Sequence, residues 1–263
     1  MRTSIARSLR RCGIIAAAAA LPLLVATGGP AAALSILLNP GSNGPGVVDR
    51  LTGLGHSVTV SNPATWTGGF DYSPYDIVAF EFTQPEGAAD PADIGHLVAA
   101  VDAGDVGVVF FRGWGATATG LALGLTADAA QRALWFQSNG MLTVLDNSHF
   151  ITAGMSLGAQ DLGFQHMSRV DNPGADTSVL AAGPIAAALV VHNTRRAVVV
   201  PFYGHPTDFA AETADSIELT ERALQWAATS PPVEIGEPAA LALAGVGLAW
   251  VGLAGFGSAV RRR

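Results

Sequence analysis

Short apolar runs alternate with helical patterns early in the chain, and this alternation constrains the fold more than any other feature of the sequence. Val106 to Phe111 carries no charged or hydrogen-bonding side chain, and Asp76 to Phe82 is mostly apolar, as in strands covered on both faces. Between them, Pro91 to Ala103 places apolar residues at helical spacing, and Gly104 ends the pattern. The strand–helix–strand order predicts an α/β protein with a parallel sheet and right-handed crossovers.

Further predicted elements extend this pattern in both directions. Before it, Ser35 to Leu38 and Ser57 to Ser61 are predicted strands that flank a helix ending at Leu54. After it, shorter strands and turns are expected between residues 132 and 180. The last predicted elements are a hairpin-like pair, Ala187 to Val191 with Ala197 to Phe202, and a closing helix from Asp208 to Ala228.

The first 33 residues have the pattern of a secretory signal peptide. Four arginines precede an uncharged apolar stretch from Gly13 to Ala26, and Ala31-Ala32-Ala33 offers a small-x-small cleavage site. The apolar stretch is too short to span a membrane. We expect residues 1–33 to be removed, so that the mature chain begins near Leu34, and Arg10-Arg11 leaves the general and the twin-arginine routes open.

The C-terminus has the pattern of a membrane-spanning helix. Residues 239–260 carry no charge, and Arg261-Arg262-Arg263 follows them. At about 1.5 Å per residue, this segment forms a helix of roughly 33 Å, which matches a hydrocarbon core of about 30 Å. The basic end is expected on the cytoplasmic side. Residues 230–236, with two adjacent prolines, are expected to form an extended linker.

One domain, residues 34–229, remains between these ends. From Ser35 to Val233 there are 19 acidic residues against 7 arginines and no lysine, so the net charge is −12. Such an acidic surface argues against nucleic acid as a partner. The single cysteine, Cys12, lies in the signal peptide, which excludes disulfides, a thiolate nucleophile and cysteine zinc sites from the domain.

Residues 237–263 resemble the PEP-CTERM sorting signal. Glu237-Pro238 precedes an apolar helix rich in glycine and alanine and a terminal arginine cluster, although Gly236 stands where the usual motif has its first proline. Such signals are handled by exosortase-type enzymes in bacteria that make extracellular polysaccharide. The resemblance therefore implies export, an exosortase-type partner and a place at the cell surface or in the polysaccharide matrix. An ordinary C-terminal membrane anchor is the alternative.

Several phrases of the domain resemble the class I glutamine amidotransferase-like fold, a flavodoxin-like three-layer sandwich with a mostly parallel sheet, and most closely its trehalose-utilisation (ThuA-like) branch. The phrases are LGHSVTV (54–60), YDIV (75–78), VGVVFFRGWG (106–115), HFITAGM (149–155), VVVPFYGH (198–205) and RALQWA (222–227). In the amidotransferases the turn after the central strand carries a nucleophilic cysteine. Here Gly113-Trp114-Gly115 occupies that turn, so glutaminase chemistry of this type is excluded.

Open parallel sheets bind ligands at the carboxyl ends of their strands, and we expect a site at this edge. Glu81 ends the third predicted strand and His205 follows the late strand, so these two are the candidate catalytic acid and base. Arg112 suits a carboxylate or sugar hydroxyls, and Trp114 suits stacking on a sugar ring. These two residues and His149, which is expected to come near, are the candidate ligand-binding set.

The candidate acid and base also have structural interpretations. His205 merely packs beside the last helix if Asp208 or Thr207 caps that helix. Glu81, if it is not an acid or base, is an exposed charge at the end of a strand. Both residues therefore have either a catalytic or a purely structural role.

The ligand-binding candidates have structural interpretations too. Trp114 fills the core in place of the missing nucleophile, and His149 holds the turn before Ile151. No spacing of ligands supports a metal site, and no cofactor is expected. The glycine-rich loop 41–46 lacks the Lys-Ser/Thr of a phosphate-binding loop, so a tight turn explains it.

Three functions remain open. The first is an exported, surface-attached binding or accessory module that has lost the nucleophile and serves in the cell envelope or polysaccharide matrix. The second is a sugar-processing enzyme, as the ThuA-like resemblance implies, with Glu81 and His205 acting around a pocket that holds Arg112 and Trp114. The third is a matrix component without a ligand.

Overall fold

Helices are interspersed among the first four strands, and the later strands follow one another along the chain. The elements are β1 (Ser35–Asn39), α1 (Gly44–Gly53), β2 (Ser57–Val60), β3 (Ile77–Glu81), α2 (Pro91–Ala103), β4 (Gly107–Phe111), α3 (Ala118–Ala122), β5 (Phe136–Gln137), β6 (Met141–Val144), β7 (Gly158–Asp161), β8 (His166–Met167), β9 (Thr177–Ala182), β10 (Ala187–His192), β11 (Ala197–Val200) and α4 (Ala214–Ala228). The computed structural model describes residues 32–40, 44–61, 66, 69–81, 91–111, 118–127, 136–137, 140–164, 166–167, 169–202 and 212–229.

Nine of these strands form one mixed sheet in the order β2-β1-β3-β4-β11-β10-β9-β6-β7. Neighbours from β2 to β11 are parallel. Neighbours from β11 to β7 are antiparallel, and β5 and β8 form a separate antiparallel pair. The expectation of a mostly parallel sheet is therefore wrong for half of the sheet, because hairpin connections add antiparallel strands beside β11.

Helices cover both faces of the parallel half. Ile77 and Ala79 of β3 pack in the same core cluster as α1 and α4, whereas Val78 and Phe80 pack in the cluster that contains α2. Alternate side chains of one strand thus enter two different cores, which requires an apolar residue at nearly every position. The apolar runs in the sequence have this cause, and the result is a three-layer α/β arrangement of the flavodoxin-like order.

Helix ends follow local signals, with one difference from expectation. Helix α2 has the predicted bounds, and Gly104 after it adopts a φ of 79° that favours glycine. Helix α4, predicted to begin at Asp208, instead begins after Thr213. The Thr213 side chain accepts from the Ser216 N–H, and the Ser216 hydroxyl oxygen accepts from the Thr213 N–H. This capping box fixes the start of the helix, so neither Asp208 nor Thr207 caps it.

A close approach joins the end of α4 to the start of β4. A Cβ at Gly107 would overlap the carbonyl oxygen of Ala227. Only glycine lets the helix backbone come this near to the sheet, so Gly107 determines how closely the end of α4 packs against the strands.

In the part of the chain that the structure describes, no helix is long and apolar enough to cross a bilayer. The predicted membrane helix, 239–260, lies outside the described residues, as do the rest of the sorting signal, the linker 230–236 and residues 1–31 of the predicted signal peptide. The described residues belong to one compact unit that begins at Ala32.

Candidate functional site

Asn39 and Glu81 lie side by side at the carboxyl ends of two neighbouring parallel strands. Asn39 ends β1 and pairs in register with Phe80, and Glu81 is the next residue of β3. From β1 the chain crosses to β2 on one side, and it then returns to β3 on the other side of β1. The gap between β1 and β3 is therefore the point where the direction of the crossovers reverses. Ligands of open α/β sheets bind in the crevice at such a point.

Glu81 is fully buried at this edge, and Asn39 is 8 % exposed. The Glu81 carboxylate lies against the first residue of α1, since Oε2 is 3.8 Å from the position that a Cβ on Gly44 would take. The N-terminus of a helix carries partial positive charge and favours a carboxylate. Because Glu81 is fully buried, a substrate would reach it only after the edge opened.

Aromatic side chains form an apolar layer near this edge. Phe80 and Phe110 stack with ring centroids 5.0 Å apart, and Phe164 and Phe202 stack at 4.0 Å. Phe80 and Phe110 are the penultimate residues of β3 and β4, and Phe202 follows β11.

Three of the predicted site residues, Arg112, Trp114 and His205, lie outside the described residues, and so does Gly41. In the sequence, Arg112 and Trp114 follow β4, His205 follows β11 and Gly41 follows β1. Their assignment to a ligand-binding or catalytic set stays a prediction.

His149 is not brought to this edge, contrary to expectation. Its ring lies 5.6 Å from that of Trp226, near the end of α4. The next residue, Ala227, touches Gly107 at the start of β4, so His149 lies towards the amino ends of the parallel strands. The Nδ1 atom of His149 accepts from the Ile151 N–H at 3.2 Å. This hydrogen bond agrees with the alternative in which His149 holds the turn before Ile151.

The amino edge of the sheet holds several charged residues in fixed pairs. His56 accepts from the Leu34 N–H at Nδ1, and its Nε2 lies 3.0 Å from Oε1 of Glu221. Arg196 donates to the carbonyl oxygens of Ala228 and Gly104, at the ends of α4 and α2. These residues join strand beginnings to helix ends and are explained by the fold.

One group at the amino edge was missed from the sequence. Arg195 donates to both carboxylate oxygens of Asp102, at 2.6 and 3.0 Å, and stands beside His192. A cavity of about 470 Å³ opens here, lined by Val101, Asp102, Asp176, His192, Thr194 and Arg195. The hairpin itself was predicted, but nothing in the sequence shows which helix its turn touches.

A second cavity, of about 300 Å³, lies between residues 151–156 and α4. Arg222 crosses one side of it, donating to the Ala153 carbonyl oxygen and to Glu218. Asp215 and Gln160 also line it. Among the described residues no group of three or more His, Cys, Asp or Glu side chains is placed to hold a metal ion.

Comparison with known proteins gives a fold and no sequence family. No family model and no curated protein matches the chain. A ThuA-like protein from Bacteroides uniformis superposes with a TM-score of 0.50 and 9 % identity, covering 74 % of this chain and 91 % of that one. A GMP synthase subunit from Thermoplasma acidophilum is also similar, with a TM-score of 0.48 and 13 % identity, covering 75 % of this chain and 95 % of that one. A glutamine amidotransferase superposes with a TM-score of 0.43 and 12 % identity, covering 74 % of this chain and 100 % of that one.

The fold and the edge define the class of the domain. It is an α/β domain of the flavodoxin-like order that shares the fold of the ThuA-like protein. At this level of identity the likeness concerns the fold alone, and activity has to be argued from the residues of this chain.

Proposed function

We propose that this is an exported protein, attached to the cell envelope, whose amidotransferase-like domain binds a partner or polysaccharide there and performs no glutaminase chemistry. The observation that carries the proposal is the absence of cysteine from residues 13–263. Without a thiolate, the turn after β4 offers no nucleophile of the amidotransferase type.

The burial of Glu81 supports a binding role over catalysis. A general acid or base has to come within hydrogen-bonding distance of its substrate. Glu81 is fully buried beside the first residue of α1. The carboxyl group that the structure describes at the switch point is thus not exposed to a substrate.

The two ends of the chain support export and attachment. The signal-peptide pattern of residues 1–33 leads to secretion, and 239–260 has the length and composition of a spanning helix. The resemblance of residues 237–263 to PEP-CTERM adds an exosortase-type enzyme that processes the tail and an environment rich in polysaccharide.

The intact mass of the protein in surface and membrane fractions of its own host tests this proposal. We expect a chain that starts near Ser35 and ends before Ala239 in the surface fraction. A membrane-bound chain that keeps residues 239–263 would mean a plain anchor and remove the support for an exosortase. A cytoplasmic chain that begins at Met1 would overturn export altogether.

A second candidate, a sugar-processing enzyme, is favoured by the position of Glu81 at the switch point. Glu81→Gln and His205→Ala are its test, with disaccharides including trehalose as probes. An enzyme loses turnover in both variants at unchanged fold. If both variants keep wild-type sugar binding and any detected turnover, and Glu81→Gln only lowers the free energy of unfolding, the binding role stands.

A further inference from the structure

The turn between β10 and β11 is organised around the imidazole of His192. The Thr194 and Arg195 N–H groups each donate to His192 Nδ1 at 3.2 Å, and Thr194 Oγ1 lies 3.4 Å from the same atom. An atom that accepts two N–H groups carries no proton, so the neutral ring holds its proton on Nε2. The residue is only 5 % exposed, which makes these bonds part of the folded structure.

The same turn clamps three helices to the amino edge. Arg195 forms the bidentate pair with Asp102 of α2 and donates to the Ala122 carbonyl oxygen of α3 at 3.3 Å. Arg196 donates to Ala228 at the end of α4. The direction of both arginines depends on the turn that His192 holds.

Three charged side chains face the His192 imidazole, each from a different segment packed against it. Arg195 approaches from the turn itself, Asp176 from the segment before β9, and Asp102 from α2. Nε2 points towards Gly124, where a Cβ would come within 3.0 Å of it. The cavity of about 470 Å³ adjoins the ring and is lined by both carboxylates.

We propose that His192 is an acid-sensitive latch: a proton from solvent taken up by Nδ1 breaks the turn, and the imidazolium moves into the cavity towards Asp176 and Asp102. The protonated ring presents an N–H to two backbone N–H groups, so the closed turn loses its acceptor. A ring flip offers no escape, since both nitrogens then carry protons. Near Asp102 the imidazolium competes with Arg195, which releases α2 from the turn.

Linkage gives the direction of the pH dependence. Burial, and then Arg195, lower the pKa of His192 below its ordinary value of 6.5, while Asp176 and Asp102 oppose this shift. The unfolded or opened chain therefore binds the proton first as the pH falls. The stability of the closed turn is complete above pH 6.5 and is lost as the pH falls from there through the lower pKa of the folded ring.

Hydrogen exchange of the full-length protein, compared as protection factors from pH 7.5 to pH 4.5, tests the latch. We expect the Thr194 and Arg195 amides to lose protection by up to about tenfold per pH unit as the pH falls from 6.5 to the folded pKa, and the loss to level off below that pKa, as one coupled proton requires. ¹⁵N NMR of the histidines should show the Nδ1-acceptor tautomer of His192 at neutral pH and a ring titration at the pH where the loss of protection levels off.

Two variants separate the latch from general acid unfolding. His192→Asn keeps a side-chain oxygen for the turn but does not titrate, so its turn amides should stay protected at low pH. His149→Asn removes another Nδ1 acceptor and should leave the response at residues 194–195 unchanged. The same loss of protection in His192→Asn as in wild type overturns the latch. If His192→Asn does not fold, a loss of protection in wild type that continues below the pKa of the ring titration overturns it.

Discussion

The two edges of the parallel half differ in the sign of the groups that meet their helices. At the carboxyl edge, α1 and α4 begin: the Glu81 side chain lies beside Gly44 at the start of α1, and the Thr213–Ser216 capping box accepts from the first N–H groups of α4. At the amino edge, α2 and α4 end, and their carbonyl oxygens meet Arg196. Helix polarity dictates this division.

This division decides how charged residues in such a fold are interpreted. Arginines and histidines at the amino edge are accounted for by helix ends and turns, so their presence is no sign of chemistry. At the carboxyl edge the helices supply N–H donors, and polar residues there are available for a ligand once the caps are complete.

The largest expected effect is at Gly107, where α4 touches the sheet. Gly107→Ala should lower the free energy of unfolding by about 3 kcal/mol, because the new methyl group overlaps the Ala227 carbonyl. Gly95→Ala, in α2 with no atom within 4 Å of the added Cβ, should be neutral or stabilising by less than about 1 kcal/mol. Urea unfolding of both variants measures the contrast. Equal midpoints would mean that the amino edge is not closed as described.

Arg196 is the next largest effect. Arg196→Met leaves two carbonyl oxygens at helix ends without their donor and should cost about 2 kcal/mol. Arg195→Met removes a more exposed pair and should cost about 1 kcal/mol or less. Thermal unfolding of the two variants tests whether burial separates them. If Arg195→Met proves the more damaging, the capping of helix ends is not the main duty of this edge.

At the carboxyl edge, Thr213→Ala should cost about 1 kcal/mol, because the first N–H groups of α4 lose the side-chain acceptor. Thr213→Ser keeps the hydroxyl and should stay within a few tenths of wild type. Denaturant unfolding decides between them. If alanine and serine behave alike, the capping box does not define the start of α4.

The smallest effect concerns Tyr72, which belongs to neither edge. Its buried hydroxyl has no hydrogen-bond partner among the described residues, and burial followed by Asp93 raises its pKa to about 12. Tyr72→Phe should therefore stabilise by less than about 1 kcal/mol near pH 7. Above pH 10 the unfolded tyrosine loses its proton first, so wild-type stability should fall towards pH 12 more than that of Tyr72→Phe. The free energy of unfolding of both proteins, measured from pH 7 to pH 12, tests the gain near pH 7 and the loss above pH 10.

The sequence predicted the parallel half well, because buried strands there need continuous apolar runs. Its four strands from β1 to β4 lie within one residue of their predicted bounds, and the β10–β11 hairpin surrounds the predicted turn. The antiparallel strands were harder to predict from the sequence, because a strand such as β7, with the sequence GAQD, lacks alternating apolar residues. Strands this short depend on neighbours far along the chain.

The candidate site was less predictable than the fold. An acid at the end of a strand looks exposed in sequence, but Glu81 is buried by the start of α1. His149 was expected near it and lies instead beside Trp226, because the direction of α4 decides which edge the turn meets. The role of His192 could not be predicted, because hydrogen bonds from the backbone of its own turn to Nδ1 produce no recognisable motif in the sequence.

The pairing of β4 with β11 has a consequence for the order of folding. Val109 pairs with Val198, although every strand from β5 to β10 lies between them in the chain. The parallel half cannot close until almost the whole domain has been synthesised, and contacts between such distant segments form slowly. If the chain leaves the cell by the general secretory route, one of the two routes that its N-terminus leaves open, it would stay unfolded long enough to pass through a translocation channel and would complete its sheet only on the far side.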